Sequence, residues 1–197
     1  MVSCNAYFAQ LGTYDVGADA LWTTASALGI ATASPNRADQ LKKSLPQSAY
    51  GQGQVVASPF QMARVAATVA SGGSMPQGRW ITDETNTRTT EPREVLAADA
   101  ATLLGRFMRE AVTAGTGKRA AAAAAVTMAG KTGTAELADA PSHAWFIGFA
   151  PYRTPPEGAT RKIAFAVLVE NGVYGGTNAA PAAAEIVNAA VKLGLVP

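Results

Sequence analysis

Residues 129–136, Ala-Gly-Lys-Thr-Gly-Thr-Ala-Glu, bring one ammonium, two hydroxyls and two glycines together within a few positions. This mixture suits a strand edge that takes a charged ligand along its backbone: glycine lets another chain approach closely, while lysine and threonine supply charge and donors. Val126 and Met128 precede the stretch, and Trp145 to Phe149 follow after a short polar break. That pattern predicts a β-hairpin whose first strand carries Lys131.

The same letters satisfy a loose phosphate-loop pattern, since Ala125 is followed after four residues by Gly130-Lys131-Thr132. A phosphate loop needs a strand before it and a helix beginning at the lysine, so that backbone N–H groups cradle the phosphate. Here the alanine run Ala120 to Ala125 favours helix upstream, while Gly133 and Pro141 curtail any helix downstream. The opening glycine is also missing, so nucleotide binding is a remote alternative.

A second cluster stands at the start of the chain, where Ser3-Cys4-Asn5 offers a hydroxyl and a carboxamide two positions apart. Taken alone, Ser3 reads as the cap of a helix beginning near Asn5, with Ala6, Tyr7, Phe8 and Leu11 at helical spacing. Cys4 as a nucleophile would need His143, the single histidine, as its base. No cysteine-protease signature surrounds either residue, and a buried small side chain is the preferred reading.

Taken together, Ser3-x-Asn5 and Lys131-Thr132-Gly133 resemble two of the three signatures of the penicillin-binding proteins and serine β-lactamases. Gly51-Gln52-Gly53-Gln54 leading to Ser58-Pro59-Phe60-Gln61-Met62-Ala63 resembles the family's segment between those motifs, and His143 to Pro151 resembles the strand after the lysine motif. The resemblance covers nearly the whole chain and is strongest toward the transpeptidase domain of class B, monofunctional penicillin-binding proteins, which cross-link peptidoglycan. The third signature, Ser-x-x-Lys, supplies the acylated serine and lies upstream of Ser-x-Asn in the family. The residues three positions before the six lysines are Asp39, Gln40, Gly115, Met128, Ala159 and Ala189, and none is serine. The chain is therefore expected to be the C-terminal portion of a transpeptidase domain, inactive by itself.

The resemblance implies acyl transfer from D-Ala-D-Ala stem peptides, with β-lactams as mimics that stop at the acyl stage. Ser3 would relay a proton, Asn5 hold the substrate amide, and Lys131 bring positive charge to the substrate carboxylate. Thr132 and Thr134 would offer it hydroxyls, Gly133 would complete the binding strand, and the Thr134 N–H would form half of an oxyanion hole. A non-catalytic β-lactam- or peptide-binding module is the alternative from another class; a D,D-carboxypeptidase or β-lactamase-like hydrolase is a further one. No metal or organic cofactor is implied, because one histidine and one cysteine do not make a typical zinc shell. The implied parent sits in the bacterial cell membrane with this domain facing the periplasm or exterior. Its implied partners are stem peptides, β-lactams, and either the missing N-terminal part of the domain or a second copy.

The elements that must position these residues follow from composition and pattern. With 197 residues and 48% hydrophobic content, the chain can bury one sizeable core. Sixteen basic and 14 acidic residues leave a net charge of +2 with no basic block, so no nucleic-acid footprint is expected. Nor does any apolar run approach the roughly 20 residues of a membrane span.

The fold class expected is α/β, in its α+β form, as the C-terminal part of the β-lactamase and transpeptidase-like fold: a partial domain over 1–197, with a helical part over about 1–118 and a sheet part with a closing helix over about 126–195. Helices are predicted at Asp19 to Leu28, from Ser58-Pro59 to Gly72, at Ala97 to Ala114 and at Pro181 to Leu193. The third carries an apolar stripe of Leu103, Leu104, Phe107, Met108, Ala111 and Val112. Ser34 to Ser48 reads as a polar connection, Trp80 to Arg93 as irregular or short-strand structure, and Gly172 to Ala180 as a glycine-rich loop. Lys162 to Glu170 reads as a strand buried on both faces. In the family two further strands from upstream complete the sheet, so this strand is expected to show an unpaired edge.

Overall fold

A computed structural model describes residues 5–78, 91–152 and 161–197. The chain starts in helix α1 (Asn5–Gln10), which widens into a π-wound turn at Leu11–Val16 and restarts as α2 (Gly17–Ala27). Gly12 in the wide turn sits against Ala49: a Cβ there would lie 2.3 Å from the Cβ of Ala49.

The stretch expected as a polar connection is mostly helical. It contains α3 (Ala38–Leu41), one 3-10 turn (Lys42–Ser44) and α4 (Leu45–Ser48). Leu41 and Leu45 are its two apolar anchors, four residues apart; both are buried with Ala18 and Ala33, against Leu21 and Trp22 of α2. Lys42 and Lys43 between them are exposed, and such polar residues make the segment look like a loop by composition.

α5 (Pro59–Ala70) begins with a reciprocal cap. Ser58 Oγ accepts from the Gln61 N–H at 3.2 Å, and Gln61 Oε1 accepts from the Ser58 N–H at 2.7 Å. Gln61 Nε2 also donates to the Gly29 carbonyl at 2.6 Å, which ties the helix start to the end of α2. A two-residue strand, β1 (Ser74–Met75), pairs antiparallel with β2 (Arg93–Glu94). The rest of the Trp80 to Arg93 expectation falls almost wholly outside the described residues.

α6 (Ala98–Thr113) is where expected, but its buried stripe is rotated. Ala101, Gly105, Met108, Ala111 and Val112 are inside, whereas Leu103, Leu104 and Phe107 are 46%, 41% and 36% exposed. Small residues on the inner face let the helix lie close to the sheet, and that close approach outweighs burial of the larger side chains. α7 (Lys118–Ala123) takes up the alanine run.

The main sheet is β3 (Ala129–Ala135), β4 (His143–Ala150) and β5 (Ile163–Val169), antiparallel in the order β3-β4-β5. Lys131 faces Ile147 and Gly133 faces Trp145 across the hairpin, while Phe146 faces Val167 across β4 and β5. On one face Ala144, Phe146 and Phe165 pack on Ala180, Ala183 and Val187 of α8 (Ala180–Lys192) and on Ala120 of α7. Phe146 and Phe165 stack with centroids 6.2 Å apart and planes 7° apart. Full burial of a side chain such as Phe146 contributes about 1.5–3 kcal/mol. On the other face Ala129 and Phe149 pack on Val69 of α5 and Met108 of α6. The sheet is thus the middle layer between α5 with α6 and α7 with α8. In β5 Phe165 is the buried residue and the others are half-buried, so the strand is less enclosed than its apolar run implied.

The connection from β5 to α8, expected as a loop, has Asn171 and Val173 at φ of 54° and 62°, then a π-wound turn at Gly175–Ala179. The left-handed region is costly for a β-branched residue such as Val173. The Val173 N–H donates to the Ser142 carbonyl at 2.9 Å, and Asn178 Nδ2 donates to the Gly172 carbonyl.

Candidate active site

Among the described residues β3 is an edge of the sheet, with β4 on one side. Along its other side runs a groove of about 450 Å³. Its walls are Asn5 and Phe8 from α1, Tyr50 and Gln52 from the turn after α4, Thr116 from the turn after α6, and Lys131 to Thr134 with Glu136. Asn5 and the lysine motif, separated by most of the sequence, line one cavity. Ser3 and Cys4 lie outside the described residues. His143 stands at the start of β4, opposite Ala135, where its Nδ1 accepts from the Asn171 N–H at 3.1 Å.

The strand sets the orientation of each group. Directly paired residues of an antiparallel ladder share a face, so Lys131 projects on the side of Ile147 and Thr132 on the side of Phe146. Lys131 is half-buried, and Nζ donates to the Thr132 carbonyl at 2.6 Å. Burial pushes its pKa below the ordinary lysine value. Among the described residues no carboxylate pairs with it; the ion pair there joins Arg37 to Asp39 on the surface. An ammonium held in this way, partly desolvated and without a counter-ion, is a ready site for an anionic group.

Thr132 is buried, and its Oγ1 lies 2.5 Å from Oγ1 of Thr116. Thr116 has no signal in the sequence: Ala114 to Lys118 reads as a plain glycine-rich turn, and the contact exists because α6 and β3 are brought side by side. Thr134 is exposed, and its carbonyl accepts from Gln52 Nε2 at 3.3 Å. The carbonyls of Thr132 and Thr134 thus both meet side chains at the groove. In extended backbone a residue's N–H leaves the strand on the same side as its C=O, so the Thr134 N–H also projects from the open edge.

Two glycines make room here. At Gly130 a Cβ would fall 2.4 Å from Cζ of Phe146 and 2.8 Å from the Ile147 carbonyl. At Gly175 it would fall 2.5 Å from the Gly133 carbonyl and 2.4 Å from that of Trp145, so the π-wound turn rests directly on the lysine motif. The close approach read from the glycine content is real, but at these positions the protein's own chain fills the room.

The phosphate-loop reading does not survive this geometry. Lys131 lies inside a strand, and the helix next to it, α7, ends before β3 begins.

The model of the penicillin binding protein transpeptidase domain family matches residues 1–188. The peptidoglycan D,D-transpeptidase PbpA of Mycolicibacterium smegmatis is 36% identical over 98% of this chain and 43% of its own length. PbpA of Mycobacterium tuberculosis is 35% identical over 96% of the chain and 42% of its own. The chain therefore spans less than half the length of these relatives. The crystal structure of the M. tuberculosis protein superposes with a TM-score of 0.72 at 31% identity, covering 96% of this chain and 49% of that one. Its imipenem acyl-enzyme complex gives 0.71 at 32%, covering 94% and 45%. With the family model matched over residues 1–188, and with relatives more than 30% identical along nearly the whole chain, the chain belongs to the penicillin-binding protein transpeptidase domain family.

Proposed function

We propose that this chain carries the strand-edge half of a peptidoglycan D,D-transpeptidase site, acting on D-Ala-D-Ala stem peptides and acylated by β-lactams. The observation that carries this reading is that Asn5 and Lys131 to Thr134 line one groove along an open strand edge. The relatives named transpeptidases, and one that forms an imipenem acyl-enzyme, support the same chemistry.

The substrate lies extended beside β3. Its carboxylate meets the Lys131 ammonium and the hydroxyls of Thr132 and Thr134, while Asn5 holds a backbone amide. A serine Oγ attacks the penultimate D-alanine carbonyl carbon, and the oxyanion that forms accepts from the Thr134 N–H. The C–N bond then breaks, and the terminal D-alanine leaves as an amine with the proton taken from the serine, relayed through Ser3. An amine of a neighbouring stem then takes the acyl group and restores the serine proton; water in its place gives the carboxypeptidase outcome. This sequence contains no Ser-x-x-Lys, so the acylated serine must be supplied by residues outside it.

The setting is the bacterial cell envelope, with the parent protein held at the membrane and this domain on its outer side. Among the described residues no helix is long and apolar enough to cross a membrane.

Labelling with a fluorescent penicillin tests the reading. This chain alone should stay unlabelled. Joined to a transpeptidase segment bearing Ser-x-x-Lys, it should be acylated at that serine, and Lys131→Ala should slow acylation by about 10²–10³-fold, the usual cost of one preorganised electrostatic contact. Stoichiometric labelling at Ser3, or acylation of Lys131→Ala within a factor of about two of the parent, would overturn the assignment of roles.

A further inference from the structure

The open edge of β3 already has an occupant. Gln52 Nε2 donates to the Thr134 carbonyl at 3.3 Å, across 82 positions of sequence. The backbone beneath Gln52 is tied down. The Gly51 and Gln52 N–H groups donate to the Ser48 and Gln47 carbonyls at 3.0 Å each. Gly51 and Gly53, on either side, sit at φ of 86° and 71°, where other residues are strained. Gly53 also lies so near α4 that a Cβ would come within 3.3 Å of Ser44 Cβ and Ser48 Oγ. A fixed turn therefore delivers a flexible side-chain amide to one particular carbonyl of the groove.

A primary amide and a peptide N–H are the same kind of donor, and a peptide that adds to a strand edge is held by N–H groups donating to the edge carbonyls. We propose that Gln52 is a specificity residue of the groove, its side-chain amide occupying the Thr134 carbonyl until a peptide ligand takes that acceptor with an N–H of its own. The proposal rests on reading the groove as a peptide site. A ligand that brings an N–H to this point replaces the bond it breaks. One that does not leaves the carbonyl either unpaired or still held by Gln52, so the edge is selective for backbone-like ligands.

The contact spans a half-exposed surface, where one hydrogen bond is worth a factor of about two to ten in an equilibrium. The sign of its loss separates the proposal from a structural role. If Gln52 competes with the ligand, removing its amide tightens binding; if it props up the groove, removal weakens binding. The probe is diacetyl-L-lysyl-D-alanyl-D-alanine, titrated into the full chain with the ¹⁵N resonances of backbone and side-chain amides as readout. Gln52→Leu removes the donor, and Gln52→Met does the same with an unbranched chain of similar length should the leucine disturb the turn.

The expected result is that the peptide shifts the Gln52 side-chain amide together with the Lys131 to Thr134 backbone, and that both variants bind it about two- to tenfold more tightly. Binding in the groove with affinity unchanged or weakened in both variants would overturn the role of Gln52 and leave the peptide-site reading standing. Shifts elsewhere in the protein, or no binding to any of the three proteins, would overturn both.

Discussion

The hydroxyl of Thr116 lies 2.5 Å from that of Thr132, joining the turn after α6 to the middle of β3. Thr132 is buried, so its hydroxyl has few directions in which to turn, and Thr116 fixes the one it takes. Thr116→Val keeps the shape of the side chain and removes the hydroxyl. It should cost about 1 kcal/mol of folding stability, the lower end of the range for an unpaired hydroxyl, because groove water can partly replace the lost partner. In the joined, Ser-x-x-Lys-bearing protein it should also slow β-lactam acylation through Thr132. Urea unfolding and penicillin labelling check the two parts, and unchanged acylation would separate Thr116 from the site.

Gly130 is tested by Gly130→Ala. The added methyl would meet the Phe146 ring and the Ile147 carbonyl, and neither can yield easily: the ring is buried and stacked on Phe165, and the carbonyl belongs to the paired strand. Overpacking of this sort costs about 1–3 kcal/mol. A urea midpoint equal to that of the parent protein would show that Phe146 has another place to go.

How far the molecule is legible in its sequence varies from element to element, for physical reasons. The hairpin of β3 and β4 is plain because two apolar segments flank a short polar break, and β5 because valine, leucine and phenylalanine run together. α3 and α4 are hidden, since two leucines among lysines, serines and glutamines do not outweigh the composition of a loop; only the packing of Leu41 and Leu45 against α2 reveals them. The stripe of α6 is misread because the periodicity rule favours large residues, whereas this helix puts Ala101 and Gly105 inward to approach the sheet. At the site, Asn5 and Lys131 are found by motif. Thr116 is met only through tertiary contact, and although Gln52 stands in the Gly-Gln-Gly-Gln segment, nothing there marks the carbonyl its side chain reaches.

Lys131 gives a pH prediction. Burial lowers its pKa from the ordinary 10.5, so the folded protein releases this proton at lower pH than the unfolded chain does. Where the unfolded state holds more protons, stability rises with pH. The cost of keeping Lys131 charged is therefore fully present below the folded value and is relieved as pH climbs from there towards 10.5. Lys131→Met removes that cost. The variant should gain on the parent at pH 7, and its advantage should shrink as the pH approaches 10.5. Paired melts at several alkaline pH values read this out, and an advantage independent of pH would mean that the ammonium pays no burial cost.

The last prediction concerns β5. Among the described residues it pairs with β4 alone, and seven residues from Ile163 to Val169 present their other edge without a ladder partner. Six of the seven are half-buried and all are apolar, so the edge is both sticky and capable of accepting a strand. Soluble proteins often blunt such edges with charge or proline, and neither interrupts Ile-Ala-Phe-Ala-Val-Leu-Val. The edge should therefore take a strand, either from a complementary segment of the transpeptidase domain or from a second copy. For this chain alone, sedimentation at micromolar concentration should show self-association. Leu168→Lys, which places a charge on the face opposite Val167 and Val169, should return it to monomer with the fold kept. A cooperatively melting monomer of the parent chain would show that the edge is closed some other way. Association unaffected by Leu168→Lys would move the contact to another surface, of which the exposed Leu103, Leu104 and Phe107 of α6 would be the first to examine.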